Sequence, residues 1–91
     1  MIVISSYYGD SASAKNNAKM IKLNGMTFYF SYETLVAVHT GKELKIVQNQ
    51  WGPTTGKHLN CIDGGDKANR MEKQQFDEFV ETINMDVMVS A

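Results

Sequence analysis

The sequence contains only one cysteine, Cys61, and only one proline, Pro53. One cysteine cannot form an internal disulfide, which excludes a disulfide-stabilised scaffold and fits a reducing compartment. No apolar run approaches the ~18 residues that a membrane-spanning helix needs. The stretch MIVISSYYGD at the start of the chain has no Lys or Arg, so a secretory signal is not expected either. These absences predict an intracellular protein with no membrane segment.

An excess of charge of one sign is also missing. Nine Lys and Arg residues stand against ten Asp and Glu residues, which gives a formal net charge of −1. This balance provides no bulk attraction to nucleic acid or to an anionic membrane, although a local basic patch stays open. The length of 91 residues predicts one domain with a modest core. The expected organisation is an N-terminal strand and flexible polar segment (1–19), a single α+β domain (20–84) and a C-terminal tail (85–91).

The clearest local pattern is a β-hairpin centred on Asn24 and Gly25. An Asn-Gly pair between two β-prone runs is the strongest short hairpin signal, because both residues adopt positive φ readily. A two-residue turn at this point places the apolar residues of both strands on one face. The expected pairs on that face are Leu23 with Met26 and Ile21 with Phe28.

A second hairpin is predicted from the β-branched segment 34–39 and the alternating segment 43–49. The intervening residues 40–42, Thr-Gly-Lys, predict a three-residue turn. With that turn length, the expected apolar pairs are Val38 with Leu44 and Val36 with Ile46.

The last periodic segment predicts a helix. Its start is expected near Arg70, because Asn69 as N-cap and Glu72 three residues later form a capping-box pattern. The expected fold is therefore α+β: a three- to four-stranded antiparallel sheet made of two hairpins, with one C-terminal helix packed on one face. The apolar stripe of this helix, at spacing i, i+3, i+4, i+7, consists of Phe76, Phe79, Val80 and Ile83.

The stretch WGPTTGKHLN, residues 51–60, gathers residue types that carry chemistry. It lacks the spacing of a phosphate-binding P-loop, because only three residues separate Gly52 from Gly56. His58 also stands where the magnesium-binding hydroxyl of that motif belongs. The stretch is instead expected to form a corner shaped by Gly and Pro. Residues 57–62, which overlap the end of this stretch, are expected to form one short helical turn capped by Thr54 or Thr55.

Metal binding and nucleophilic catalysis lack the necessary partners. His58 and Cys61 are three apart, but zinc takes three or four ligands, and no C-x-x-C or H-x-x-x-H pattern exists. Cys61 with His39 or His58 would make a catalytic dyad, yet no sequence feature orients such a pair. We therefore predict no enzyme, no cofactor and no metal. The further ligands that a metal would require are His39, Asp63 and Asp66.

A protein-binding surface requires the fewest assumptions for this stretch. Trp51 is a large aromatic side chain on a stiff Gly-Pro corner, and Trp, Tyr and Arg typically anchor interfaces. For Trp51 taken alone, the favoured expectation is that it caps the core between sheet and helix. The structural alternative is a staple between loop and sheet, for which Thr55 and Asn60 should be buried and hydrogen-bonded. The predicted partner-binding residues are Trp51, Thr54, Thr55, Lys57, His58, Asn60 and Arg70.

Nucleic acid is the alternative partner. Aromatic residues in the segment 28–32 offer rings on which bases could stack. Phe28 and Phe30 are assigned to the core face, which leaves only tyrosines for stacking. The exposed candidates are Tyr7, Tyr8, Tyr29 and Tyr32, and a local basic patch is expected from Lys57, His58, Lys67 and Arg70.

Two motifs carry a resemblance. Residues 30–37 have the pattern Phe-Ser-Tyr-x-Thr-x-Val-Ala, and Trp51 is followed by Thr-Thr-Gly-Lys-His-Leu-Asn at residues 54–60. With these motifs, about residues 20–83 resemble a group of small proteins of bacteriophages and mobile elements. No established chemistry comes with the resemblance. It implies a phage accessory protein in the bacterial host cytoplasm.

Such a protein is expected to bind a host or phage protein, and to inhibit a bacterial defence system such as CRISPR or restriction. The alternative is a small nucleic-acid-binding phage regulator. The oligomeric state stays open, because an exposed edge strand could pair two copies.

Overall fold

The computed structural model describes residues 3–7 and 17–90. Within these residues the chain forms six strands, two α-helices and one short 3₁₀ helix. In chain order they are β1 (Val3–Ser6), β2 (Ala18–Leu23), β3 (Met26–Ser31), β4 (Thr34–His39), β5 (Leu44–Val47), α1 (Pro53–Asp63), the 3₁₀ helix (Lys67–Asn69), β6 (Arg70–Met71) and α2 (Lys73–Ser90).

The strands form one mixed sheet in which spatial order follows chain order, from β1 to β6. The first four pairings are antiparallel, and β5 and β6 pair in parallel. The predicted three- to four-stranded antiparallel sheet with one helix is therefore wrong. A parallel pair requires a crossover connection, and α1 supplies it. The sequence pattern conceals both elements, because β6 has only two residues and α1 begins with proline and contains Gly56.

The Asn24-Gly25 hairpin is confirmed with its register. Leu23 pairs with Met26, and Ile21 pairs with Phe28. Asn24 and Gly25 have φ values of 53° and 78°, as a two-residue turn with the twist of the flanking strands requires.

The register of the second hairpin is wrong by one residue. His39 pairs with Leu44 and Ala37 with Ile46, so the connection has four residues instead of three. The Thr40 amide donates to the Glu43 carbonyl at 2.9 Å and closes this longer loop. Because side chains alternate along a strand, the slip moves Val36 and Val38 out of the predicted apolar pairs.

Both faces of the central strands are covered. Neighbouring residues of β4, Ala37 and Val38, are fully buried, and so are Ile46 and Val47 of β5. Since successive side chains point to opposite faces, such a pair needs a covering layer on each side.

The two helices provide these layers. α1 packs over the face that carries Ala37, because His58 of α1 contacts Ser31, which lies on the same face. α2 packs over the other face, where the Lys45 ammonium lies 5.9 Å from the centre of the Phe79 ring. The sheet is thus the middle of three layers, and the prediction of a single covered face is corrected.

The apolar stripe of α2 is confirmed, but its start is not. Phe76 and Ile83 are buried in the core, and Phe79 and Val80 pack against it. The helix begins at Lys73, three residues after the predicted start, because the preceding residues form the 3₁₀ helix and β6. α2 continues to Ser90, where the sequence pattern predicts a tail.

Candidate functional site

The two sequence motifs meet inside the protein. Ser31, the last residue of β3, places its Oγ 2.9 Å from Thr55 Oγ1 and 2.7 Å from His58 Nδ1. Thr55 and His58 are three apart on α1, so they share the helix face that is turned to the sheet. All three side chains are buried, and their mutual hydrogen bonds satisfy polar groups that would otherwise be costly there. This Ser31–Thr55–His58 cluster joins the sheet to α1.

Tyr7 adds further contacts between the sheet and α1. Its hydroxyl donates to the Phe30 carbonyl at 2.8 Å, and its ring meets the Tyr29 and His58 rings edge-on, with centroid distances of 5.3 Å and 6.1 Å. Burial raises the pKa of Tyr7, and the neighbouring Cys61 and Tyr29 raise it further, so the phenol stays neutral. The two residues considered above for a catalytic dyad bond to different partners. The Cys61 thiol donates to the Tyr7 carbonyl at 3.1 Å, whereas His58 Nδ1 is hydrogen-bonded to Ser31.

A second link joins the other end of α1 to β6. Arg70 donates through Nε and Nη2 to the two Asp63 oxygens, at 2.8 and 2.9 Å, and through Nη2 to Asn60 Oδ1 at 2.9 Å. The Arg70 and Asp63 side chains are only 4% and 7% exposed. Burial favours the neutral form of Asp63, but hydrogen bonds from Arg70 and the Gly65 amide outweigh it and lower the pKa of the carboxyl. The pair is therefore a buried, bidentate ion pair.

A cleft of about 300 Å³ opens at the N-terminal end of α1. Tyr32 and Trp51 flank it and are 50% and 39% exposed, which makes them the exposed large hydrophobic residues in the described part of the chain. We refer to it as the Tyr32–Trp51 cleft. Its lining consists of Ser31, Tyr32, Thr34, Trp51, Gly52, Pro53, Thr54 and Thr55.

The backbone fixes both aromatic residues at the cleft. Tyr32 has φ +57°, in the left-handed region that favours glycine and costs a residue with a Cβ atom ~1–2 kcal/mol. Its amide donates to the Asn17 carbonyl at 2.7 Å. On the other side, the Asn49 carboxamide accepts from the Trp51 amide at 2.9 Å and donates to the Gly52 carbonyl at 3.3 Å. Both aromatic side chains therefore project from turns that hydrogen bonds hold in place.

The predicted partner-binding residues divide between surface and interior. Trp51 and Thr54 line the cleft, and Lys57 and Asn60 are exposed on α1. The structure places the others inside: Thr55, His58 and Arg70. The predicted helix cap is wrong, because α1 starts at Pro53 and its N-cap is Gly52.

The expected staple is present in part. Thr55 is buried and hydrogen-bonded, whereas Asn60 is hydrogen-bonded but exposed. Among the predicted stacking tyrosines, Tyr7 and Tyr29 are half-buried against each other, Tyr32 is exposed, and Tyr8 lies outside the described residues.

The list of predicted partner-binding residues missed Ser31, Asp63 and Tyr32. A signal existed for α1: Thr55, His58, Leu59 and Ile62 follow the spacing i, i+3, i+4, i+7 of a buried helix face. Two members of that stripe are polar, so it does not show as an apolar pattern. The Tyr32 turn has no such signal, because tyrosine is not a turn residue.

In the described part of the chain, residues 3–7 and 17–90, no three His, Cys, Asp or Glu side chains gather as metal ligands. No helix there has both the length and the apolar character needed to cross a membrane.

The comparisons with known proteins give one match. Residues 2–78 match the model of a family of unknown function, DUF8033. No curated protein and no solved structure matches the chain.

Proposed function

The chain belongs to the DUF8033 family, and we propose that it is a non-enzymatic binding protein whose Tyr32–Trp51 cleft receives an apolar side chain of a partner protein. The observation that carries the proposal is the convergence of two exposed aromatic residues, 19 positions apart in sequence (51 − 32), on one cleft. Exposed Trp and Tyr side chains that flank a pocket are the residues that most often dominate binding energy at protein interfaces.

The backbone at Tyr32 supports the proposal. A glycine would adopt φ +57° without strain, yet a large aromatic residue occupies this position with half of its surface exposed. Residues in sparsely populated backbone conformations cluster at active sites and ligand-binding sites.

The size and lining of the cleft favour a protein side chain over a substrate. A volume of about 300 Å³ is at the lower limit for small-molecule pockets, and it suits one or two side chains. Aromatic rings and Pro53 form its apolar walls, while the hydroxyl groups of Thr34 and Thr54 offer hydrogen bonds to a partner backbone.

The bacteriophage origin, the bacterial host cytoplasm and the inhibition of a host-defence system stay predictions from the sequence resemblance. They define the first source of partners to examine, which is a bacterial lysate.

The test is affinity capture from nuclease-treated bacterial lysate with the wild-type protein, Trp51→Ala and Tyr32→Gly. Both variants should lose the partner, because truncating an interface anchor weakens binding by roughly thirtyfold or more. Gln75→Ala is the matched control, since Gln75 is exposed on α2, which covers the other face of the sheet. Far-UV circular dichroism checks that all variants are folded.

The outcomes separate the alternatives. A protein captured equally by wild type, Trp51→Ala and Tyr32→Gly would contradict the proposed site. Capture that nuclease abolishes, and that falls steeply with salt, would replace the protein partner with nucleic acid.

A further inference from the structure

A second cleft lies on the β5–β6 side of α1, whereas the Tyr32–Trp51 cleft lies on the β3–β4 side. Its volume is about 370 Å³, and it shares no lining residue with the first. We refer to it as the Arg70–Lys67 cleft. Its lining consists of Gln48, Asn49, Gly56, Asn60, Lys67 and Arg70, which include two cationic residues and three carboxamides but no carboxylate.

Arg70 and Asn60 leave hydrogen-bond donors available in this cleft, whereas Gln48 donates through Nε2 to the Arg70 carbonyl at 3.5 Å and leaves its Oε1 as an acceptor. Nε and Nη2 of Arg70 are engaged by Asp63 and Asn60, while Nη1 has no hydrogen-bond partner among the described residues. Asn60 uses its oxygen to accept from Arg70, so its Nδ2 amino group remains as a donor. Asn49 Oδ1 is likewise occupied, by the Trp51 amide.

The charge of the cleft is positive. Asp63 balances Arg70, and Lys67 is exposed without an ion pair among the described residues. The nearest acid along the chain, Asp66, uses its carboxylate oxygens to accept from the Ala68 amide and the Asn69 side chain. A fixed guanidinium, an ammonium and a carboxamide donor together match a tetrahedral oxyanion with several acceptor oxygens.

Gly56 brings the α1 backbone to the wall of this cleft. A glycine inside a helix costs ~1 kcal/mol relative to alanine, so its presence here has a structural reason. A Cβ atom at this position would lie 3.1 Å from Asn49 Nδ2 and would press against the Asn49 side chain. Glycine thus keeps the helix close to the 48–49 segment and leaves the space between them open.

We propose that the Arg70–Lys67 cleft binds a phosphate group, either free or carried by a small molecule. Arg70 Nη1, Asn60 Nδ2 and Lys67 Nζ donate to its oxygens. This site shares no lining residue with the Tyr32–Trp51 cleft, and it does not rest on the protein partner proposed for that cleft.

The test is a titration of the protein with inorganic phosphate, followed by ¹⁵N NMR, with sodium chloride at equal ionic strength as the reference. Wild type should show saturable shifts at the amides of residues 56, 60 and 67–70. Asn60→Asp should weaken binding at least tenfold, because the new carboxylate keeps an acceptor for Arg70 but replaces the donor with a negative charge.

Two lysine variants provide the matched comparison. Lys67→Ala removes a charge from the cleft and should weaken binding about tenfold. Lys57→Ala removes a charge from an exposed α1 residue that does not line the cleft, and it should leave the affinity unchanged. Neither lysine makes an ion pair in the described residues, so both variants should remain folded. Urea unfolding of each variant verifies this.

A second titration, with a nucleoside monophosphate, separates the two sources of the phosphate group. Much tighter binding than that of inorganic phosphate would identify a phosphorylated small molecule, and equal binding would identify phosphate itself. Absence of saturable binding to wild type would overturn the proposal. Equal losses in Lys57→Ala and Lys67→Ala, or undiminished binding to Asn60→Asp, would also overturn it.

Discussion

Ser31→Ala provides the most direct test of how the two motifs hold the fold. The substitution removes one hydroxyl that lies 2.9 Å from Thr55 Oγ1 and 2.7 Å from His58 Nδ1. Both partners are buried, so water does not readily replace the lost bonds. A buried polar group left without its partner costs roughly 1–3 kcal/mol, and alanine offsets part of this because it buries no hydroxyl of its own.

We therefore expect Ser31→Ala to lower the free energy of unfolding by about 2–4 kcal/mol. For a domain of 91 residues, this is a large part of a total at the lower end of ~5–15 kcal/mol. Thr55→Val removes one of the two bonds and should cost less. The double variant should cost less than the sum of the single variants, because their shared hydrogen bond is then counted once.

The measurement is equilibrium unfolding in urea, followed by far-UV circular dichroism and by the fluorescence of Trp51, the only tryptophan in the chain. Ser5→Ala is the matched control, because Ser5 is a half-buried strand serine outside the cluster, and its change should stay within ~0.5 kcal/mol. Equal effects of Ser31→Ala and Ser5→Ala would refute the assignment of the cluster as the link between sheet and helix.

Three further predictions concern backbone and charge. Asp63→Asn should cost about 3–5 kcal/mol in urea unfolding, because it leaves the buried Arg70 charge without its counter-ion. Folding lowers the pKa of Asp63, so the stability that its carboxylate contributes is fully present above the unfolded pKa of 3.8 and is lost as the pH falls through the folded pKa. Wild type should therefore lose more stability than Asp63→Asn in strong acid. Gly64→Ala should cost ~1 kcal/mol in thermal unfolding, since Gly64 ends α1 at φ +69°. Tyr32→Gly should lower the unfolding free energy by less than about 2 kcal/mol, because relief of ~1–2 kcal/mol of strain offsets the lost half-buried ring; a loss above about 3 kcal/mol would assign Tyr32 to stability instead.

The elements predicted correctly from sequence are those with local causes. The Asn24-Gly25 turn fixes its own register, because the pairing follows from two backbone conformations and the alternation beside them. The α2 stripe likewise repeats an apolar pattern over two helical turns.

The elements that failed depend on distant partners. β6 exists as a strand only because Arg70 and Met71 lie against β5. The predicted register of the second hairpin is wrong by one residue, because the turn has four residues instead of three. Within this longer turn the Thr40 hydroxyl accepts from the Lys42 and Glu43 amides.

Residue composition drew attention to the stretch that holds the candidate site, but it did not predict which of its side chains face the sheet. The predicted corner is wrong for residues 53–60, which belong to α1, and only Trp51 and Gly52 of the stretch 51–60 precede the helix, with Trp51 exposed. Assigning Thr55 and His58 to the surface followed from treating the stretch as irregular. In an 11-residue helix the 3.6-residue period turns both toward the sheet.

The contacts that stabilise α1 at its two ends have a consequence for the order of folding. An isolated helix of 11 residues containing glycine, two threonines and an asparagine is unstable in water. The helix gains its stability from Ser31 at one end and from Arg70 at the other, and both contacts require the sheet to be present. We therefore expect the β2–β3 hairpin to form early, and α1 to form only with the parallel β5–β6 pair that it connects. Both clefts border α1, so each is completed in this last step.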